Sequence, residues 1–449
     1  MANSYLNRTP SGDGNKRTFT FSTWLKISTI KEHMFFTCGV YSSTSLMQFY
    51  LNANGTLTMS QETSGGSIQS TLTTTQVFRD TSAWYHLVIA IDTTQGTASN
   101  RLKLYVNGTQ VTSFSTETYP SQNTDFACNT SGVINTIGNR SGGNFYFDGY
   151  MSHVALVDGQ ALAPTVFGQT DSTSGIWKFK APSGVTWGTN GFHLKFENSG
   201  NLGLDSSGNS NTFTVNGNGR QALDTPSNVY ATLNANNNYY PSMTLSNGNT
   251  SLSQPGAKYA PTGTTLGMTS GKWYAEMKCT AVSQWGEVGI FGQFATSATM
   301  NIGSLSDGYS YMGGSSATGT NQKMNNDSRT AYDTAFTTND IVSVAVDLDN
   351  NKLYFGKNGT WLNSGDPTSG STGTGAAFTL GTPSSGAYFF ASDNWDGSNS
   401  FSSSWNFGNG YFGTTAITSA GSNGNGSLFE YDVPSGYYAL NTKNINTYG

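Results

Sequence analysis

The sequence predicts an all-β protein: two antiparallel β-sandwich modules of jelly-roll type, joined by a partly stranded segment rich in Gly, Asn and Ser. Three observations predict it. Apolar residues recur at every second position through most of the chain, which is the period of a strand with one buried face. Sustained helical periodicity is absent, so helix is expected below about a tenth of the chain. Charged residues are only 10% of the 449, against about 25% in ordinary soluble domains. Helices need Glu, Lys and Arg for their solvated faces. Here 54 Gly, with many Ser, Thr and Asn, supply turns and hydroxyl or amide strand faces instead. Aromatics reach 13%, so the cores are built from Tyr, Phe and Trp more than from Leu.

The strands of the first module follow at short intervals. Phe19-Thr20-Phe21-Ser22-Thr23-Trp24-Leu25 alternates strictly, with Phe19, Phe21, Thr23 and Leu25 on one face. Met47-Gln48-Phe49-Tyr50-Leu51 runs into Asn54-Gly55, a hairpin signal. Trp84 to Asp92 is the strongest strand of this half. Leu102-Lys103-Leu104-Tyr105-Val106 turns at Asn107-Gly108. A last strand runs from Phe145 toward Asp158. Many short strands at this spacing argue for a sandwich or jelly roll.

The blocks Phe19 to Ser28, Trp84 to Asp92, Leu102 to Val111 and Phe147 to Leu162 resemble, in order and spacing, the laminin-G-like family of concanavalin-like jelly rolls. That resemblance implies structural roles for Trp84, Tyr85 and Val106. It also implies calcium or glycan binding at the sandwich rim. Ser152-His153 stands where the family often has an acidic pair, so an inherited calcium site loses its support. Asp148 is the remaining rim candidate.

The module boundaries read as 1–168 for the first sandwich, 169–270 for the joining segment, 271–412 for the second sandwich and 413–449 for a C-terminal segment. The joining segment holds two strands, Gly191 to Phe196 and Asn211 to Val215, which should pack on a sandwich. Asp205-Ser206-Ser207-Gly208-Asn209 between them is rich in oxygen ligands and is a candidate Ca²⁺ loop. It lacks the spacing and closing Glu of an EF-hand, and a turn with side-chain hydrogen bonds is the plainer reading. In the second module Trp273, Ala275, Met277 and Cys279 share one face, while Tyr274, Glu276 and Lys278 are expected to face solvent. Ile341 to Asp347 and Lys352 to Lys357 form a hairpin through Asp349-Asn350-Asn351. Gly271-Lys272-Trp273-Tyr274-Ala275-Glu276, the hairpin from Val344 to Gly359, and Trp405-Asn406-Phe407-Gly408 resemble SPRY domains. The resemblance implies recognition through loops at one end of that sandwich. Trp285, Tyr309, Tyr311, Trp361, Trp395 and Trp405 are the candidate ligand-binding aromatics there, since exposed rings stack on sugars and anchor interfaces.

Composition excludes several function classes. The net charge is −5 with a pI near 5.3 and no Lys/Arg block, so nucleic acid and anionic membrane are not expected partners. Apolar runs stay far below the ~20 residues needed to span a bilayer. The N-terminus lacks a signal-peptide stretch, so synthesis in a cytosol without export is expected. Cys38, Cys128 and Cys279 are too few for a disulfide framework or zinc site, and Cys38 and Cys279 read as buried thiols. Catalytic residues are not identified. Four scattered His have no metal-ligand spacing, and Glu276 with Glu287 is the one acid pair that could meet across a hairpin. No cofactor is expected apart from a possible Ca²⁺.

A narrower resemblance follows from Ser4 to Lys26, Val157 to Asp171, Thr189 to Gly217, Ala222 to Asn234 and Val433 to Asn446. Together these blocks resemble virion structural proteins of tailed bacteriophages of the marine type, in which a laminin-G-like domain precedes this joining segment and a SPRY-like domain. The resemblance implies a non-enzymatic protein of the particle surface, made in the host bacterial cytoplasm. Its expected partners are other virion proteins and a host-surface glycan, probed as a homo-oligomeric tail fibre or tail-tip adhesin. The alternative is a head decoration or capsid-fibre protein, and a glycan depolymerase comes third.

Overall fold

The computed structural model describes residues 3–142, 145–237, 243–254, 261–297, 299–314, 321–394 and 400–449. Strand makes up 41% and helix 5%, as the period-two patterning requires. The chain divides into two compact units, Met1–Gln221 and Ala222–Gly449. The joining segment is therefore split between them.

In the first unit an eight-stranded sheet runs in the order Phe114–Thr118, Ile68–Val77, Thr56–Glu62, Leu46–Leu51, His33–Cys38, Asn135–Ile137, Tyr5–Arg8 and Thr214–Asn216. A six-stranded sheet runs Phe192–Leu194, Gly149–Asp158, Thr18–Ile27, Tyr85–Asp92, Leu102–Val106 and Thr109–Gln110. Their inner faces meet ring to ring: Phe21 of one sheet stacks on Phe36 of the other at 4.3 Å. Both strands expected in the joining segment are sheet members, and they pack on this sandwich through Phe192 and Phe213.

The outer face of the six-stranded sheet is covered by the hairpin of Gly168–Thr170 and Trp177–Phe179. Trp177 donates its Nε1–H to His86 Nδ1 at 3.0 Å. A Cβ on Gly108 or Gly168 would come within 2.6 or 2.5 Å of that indole, so glycine makes its seat. Phe179 stacks on His153 at 3.6 Å, where a bulge between Ser152 and Ala155 turns the His153 ring outward.

The second unit repeats the plan with different strands. Its larger sheet runs Thr244–Ser246, Ser251–Gln254, Phe401–Asn406, Lys272–Val282, Ile341–Asp347, Lys352–Lys357 and Thr360–Trp361. Phe378–Thr379 joins on Lys352–Lys357, and Tyr438–Ala439 pairs in parallel with Lys272–Val282. The smaller sheet runs Thr262–Gly263, Phe389–Asn394, Gly286–Phe291, Gly308–Gly313, Gln322–Asn325 and Ser328–Ala331. Trp273, Ala275, Met277 and Cys279 face the core, as the alternation predicts. Tyr274 and Glu276 point away from it, yet both are fully buried rather than solvated. Phe429, Val433, Tyr437 and Ala439 of the C-terminal segment close over Tyr274 in a second apolar layer.

Candidate functional site

Most of the aromatics expected to bind ligand are core residues. Tyr311 and Trp405 are 0% exposed and Tyr309 is 6% exposed. Tyr311 donates its hydroxyl to the Thr334 carbonyl. Trp405 donates Nε1–H to Ser392 Oγ at 3.1 Å and stacks on Phe407. The Tyr309 hydroxyl accepts from the Gly381 amide at 2.9 Å. A ring with both faces packed cannot receive a sugar, so these three are corrected to structural roles. The reason is alternation: Tyr309 and Tyr311 lie two apart on the strand Gly308–Gly313, not in a loop. Trp285 and Trp361 stay partly exposed. Trp285 adopts φ of 62° with the Arg329 guanidinium 5.3 Å from its ring, and Trp361 meets Tyr274 edge-on at 6.4 Å. Trp395 lies outside the described residues.

The candidate metal residues are already engaged. Asp148 pairs with Lys31 at 3.0 Å. The Asp205 carboxylate accepts from the amides of His193, Ser207 and Asn211 at 2.8–2.9 Å and from Ser207 Oγ at 2.8 Å. Asn209 Nδ2 donates to the carbonyls of Gly188 and Gly191 at 2.7 and 2.9 Å. The Asp205 loop is thus a turn stitched by its own side chains to the strand before it. Among the described residues no group of three or more His, Cys, Asp and Glu side chains is placed to hold a metal.

Glu276 and Glu287 do not meet, because they lie on different sheets. Glu276 accepts from the Tyr274 hydroxyl, Asn406 Nδ2 and the amides of Glu430 and Tyr431. Burial outweighs these donors and pushes its carboxyl up to about 7. Glu287 stands directly opposite Asp393 on the neighbouring strand, a pairing the sequence reading missed. Burial first, then the Asp393 charge, raises Glu287 well above the carboxylate range. Both side chains are 0% exposed.

The arrangement best suited to a ligand lies on the outer face of the eight-stranded sheet. Directly opposed residues form one polar row across all eight strands: Thr214, Asn7, Thr136, Thr37, Gln48, Ser60, Thr71 and Thr118. Tyr50, Thr58, Thr73 and Thr116 make a second row beside it. After Gly138 the chain turns back over this face. The Thr37 hydroxyl donates to the Asn139 carbonyl at 3.1 Å, and the Tyr41 amide donates to the Ser141 carbonyl at 3.1 Å. Arg140 on this turn packs against the rings of Tyr41 and Phe145, with its guanidinium carbon 4.3 and 4.0 Å from their centroids. Glu62 closes the other side and accepts from Gln48 Nε2 at 2.9 Å.

Five atoms here are buried yet make no hydrogen bond with the described residues: Gln48 Oε1, Ser60 Oγ, Thr136 Oγ1, Asn139 Oδ1 and Arg140 Nε. Each unmet group of this kind costs about 1–3 kcal/mol. A fold keeps such a cluster at less cost where a polar ligand or solvent completes it. Hydroxyls and amides that both donate and accept, with a carboxylate that accepts, beside partly exposed Tyr rings, match the alternating hydroxyl and C–H surface of a sugar. The signal was present in the alternation. The residues between Met47, Phe49 and Leu51, and between Leu57 and Met59, are Gln, Tyr and Thr rather than Lys or Glu.

The sequence of residues 2–166 matches the profile of the Laminin_G_3 family, described as the concanavalin A-like lectin/glucanases superfamily. The match lies within the first unit, whose two facing antiparallel sheets are similar to a concanavalin-like jelly roll. Comparison with curated proteins returns no match. Among solved structures, the SPRY domain of human HERC1 is similar at 15% identity and a TM-score of 0.31, over 38% of this chain and 96% of that one. A candidate carbohydrate-binding protein from Bacteroides ovatus is similar at 18% and 0.34, over 50% of this chain and 59% of its own length. The heptameric SAP-like pentraxin of Limulus polyphemus is similar at 16% and 0.30, over 47% and 88%. Likeness at this level says nothing of what this chain binds.

Proposed function

We propose that this chain is a non-enzymatic glycan-binding protein that contacts its ligand through the outer face of the eight-stranded sheet. The observation that carries the reading is the set of five buried polar atoms on that face that make no hydrogen bond with the described residues. The family match supports it, since the superfamily description includes lectins. A low-charge surface of hydroxyls and amides supports it too, because neutral sugars offer hydrogen bonds and apolar C–H faces. The enclosed Glu287–Asp393 pair supports a binding rather than hydrolytic role. Two glycosidase carboxyls must flank a substrate, and both of these are 0% exposed.

The finer reading is a bacteriophage tail-fibre or tail-tip adhesin directed at a host-surface glycan, carried on the particle in several copies. The blocks from Ser4 to Lys26 and from Thr189 to Gly217, similar to tailed-phage virion proteins, support it. Weak single sites become effective when several copies engage one cell. Cryo-electron microscopy of purified particles, with copy counting by mass spectrometry, tests this. The protein should lie at the tail, and the free protein should compete with particles for adsorption. Copies tiling the head, with no competition, would replace the adhesin with the decoration protein.

A further inference from the structure

We propose that Arg140 makes this face selective for glycans bearing a carboxylate, such as a uronic or nonulosonic acid. The inference rests on the glycan-binding reading and adds the ligand's charge to it. The guanidinium carbon packs against two aromatic rings, 4.3 Å from Tyr41 and 4.0 Å from Phe145. Two aromatic rings thus pack on the group, and its N–H groups are what remains to bind an acceptor. Its Nε is buried without an acceptor, and the group makes no hydrogen bond or ion pair among the described residues. An arginine that only stiffened the turn would satisfy its edge on a carbonyl or carboxylate of the chain. Here the edge is pre-ordered and unmet. A planar carboxylate is the acceptor that fits it with two parallel hydrogen bonds.

The surrounding groups set the rest of the specificity. Glu62 ends the strand Thr56–Glu62 on this face, two residues beyond Ser60. Glu62 is partly engaged by Gln48 and keeps acceptor capacity for a sugar hydroxyl. An acid on the same face disfavours a densely anionic chain. The face should therefore take an isolated acidic sugar and reject a polysulfated one.

The test uses the full chain and an immobilised panel: oligosaccharides ending in glucuronate, galacturonate or sialate, the methyl ester of each, and a sulfated oligosaccharide of similar length. At least one acid should bind on the order of tenfold to a hundredfold tighter than its own ester, the range of a charge-assisted fork. Arg140→Gln should bind acid and ester alike at the ester's affinity. Arg140→Lys, which keeps charge without the fork, should fall between them. Melting curves of both variants establish that they are folded. The proposal is overturned if esters bind as well as acids, if Arg140→Gln keeps the preference, or if the sulfated chain binds best. Binding of neutral sugars with no acid preference removes this inference and leaves the parent reading standing. A wild type that binds no member of the panel overturns both.

Discussion

Single residues in this protein often do a different job from the one their chemistry advertises. Tyr311 and Trp405 have the chemistry of sugar platforms and serve as core pieces, because a chain poor in aliphatics fills its cores with rings. Sequence pattern showed that they were aromatic on a strand-rich stretch. It could not show that their neighbours close over both faces. Glu276 is a sharper case. Its carboxyl is pushed up to about 7 by burial, above an unfolded value near 4.5. A raised folded pKa means that the native state binds the extra proton. Its contribution is therefore complete below pH 4.5 and is lost as pH rises toward 7. The protonated acid has a partner, since it can donate to Tyr274, whose own hydroxyl then donates to Ser343 at 2.9 Å. Glu276→Gln mimics that form. It should remove part of the pH slope of unfolding of the second unit between pH 4.5 and 7, read by denaturant titration at several pH values. An unchanged slope would mean that Glu276 is ionised throughout.

At the scale of elements, period-two alternation made the strands legible and hid their outer faces. Core positions such as Phe19, Phe21 and Leu25, or Trp273 and Met277, follow directly from it. What lies on the other face depends on segments far away in sequence, and no local pattern announces them. Residues 427–440 seal Tyr274, Ala345 and Tyr354 on the second unit. The hairpin ending at Phe179 seals His153 on the first. The polar row was hidden for the same reason, since its members come from eight separate strands. These covering segments are structural. Phe429 is 1% exposed, and Phe429→Ala should cost the second unit about 3–5 kcal/mol. Calorimetry would show it as a lowered transition, and a change below about 1 kcal/mol would make the segment a loose appendage.

For the whole molecule, two cores predict two folding units. Phe21→Ala and Trp273→Ala should each cost about 3–5 kcal/mol and each should lower one of two melting transitions. One transition shifted by both would mean a single cooperative unit. The pH response should also separate them. His86 and His153 are held down to about 3 and His193 to about 4, with burial the leading cause of each. A depressed folded pKa means that the unfolded state binds protons first. The first unit therefore keeps these contributions above about pH 6.5 and loses them as pH falls toward 3–4. Glu276 acts in the opposite direction in the second unit. Between pH 6.5 and 4.5 the transition lowered by Phe21→Ala should fall while the one lowered by Trp273→Ala rises. The central claim is that recognition belongs to the outer face of the first unit's eight-stranded sheet. The most direct measurement is a binding isotherm, on a glycan array or on host cells, for wild type, Gln48→Leu/Ser60→Ala and Trp361→Ala. The double variant should lose tenfold or more, as two or more hydrogen bonds of about 1 kcal/mol each disappear, with melting unchanged or raised, and Trp361→Ala should bind as wild type. Undiminished binding by the double variant, with loss in Trp361→Ala, would contradict it and return recognition to the second unit.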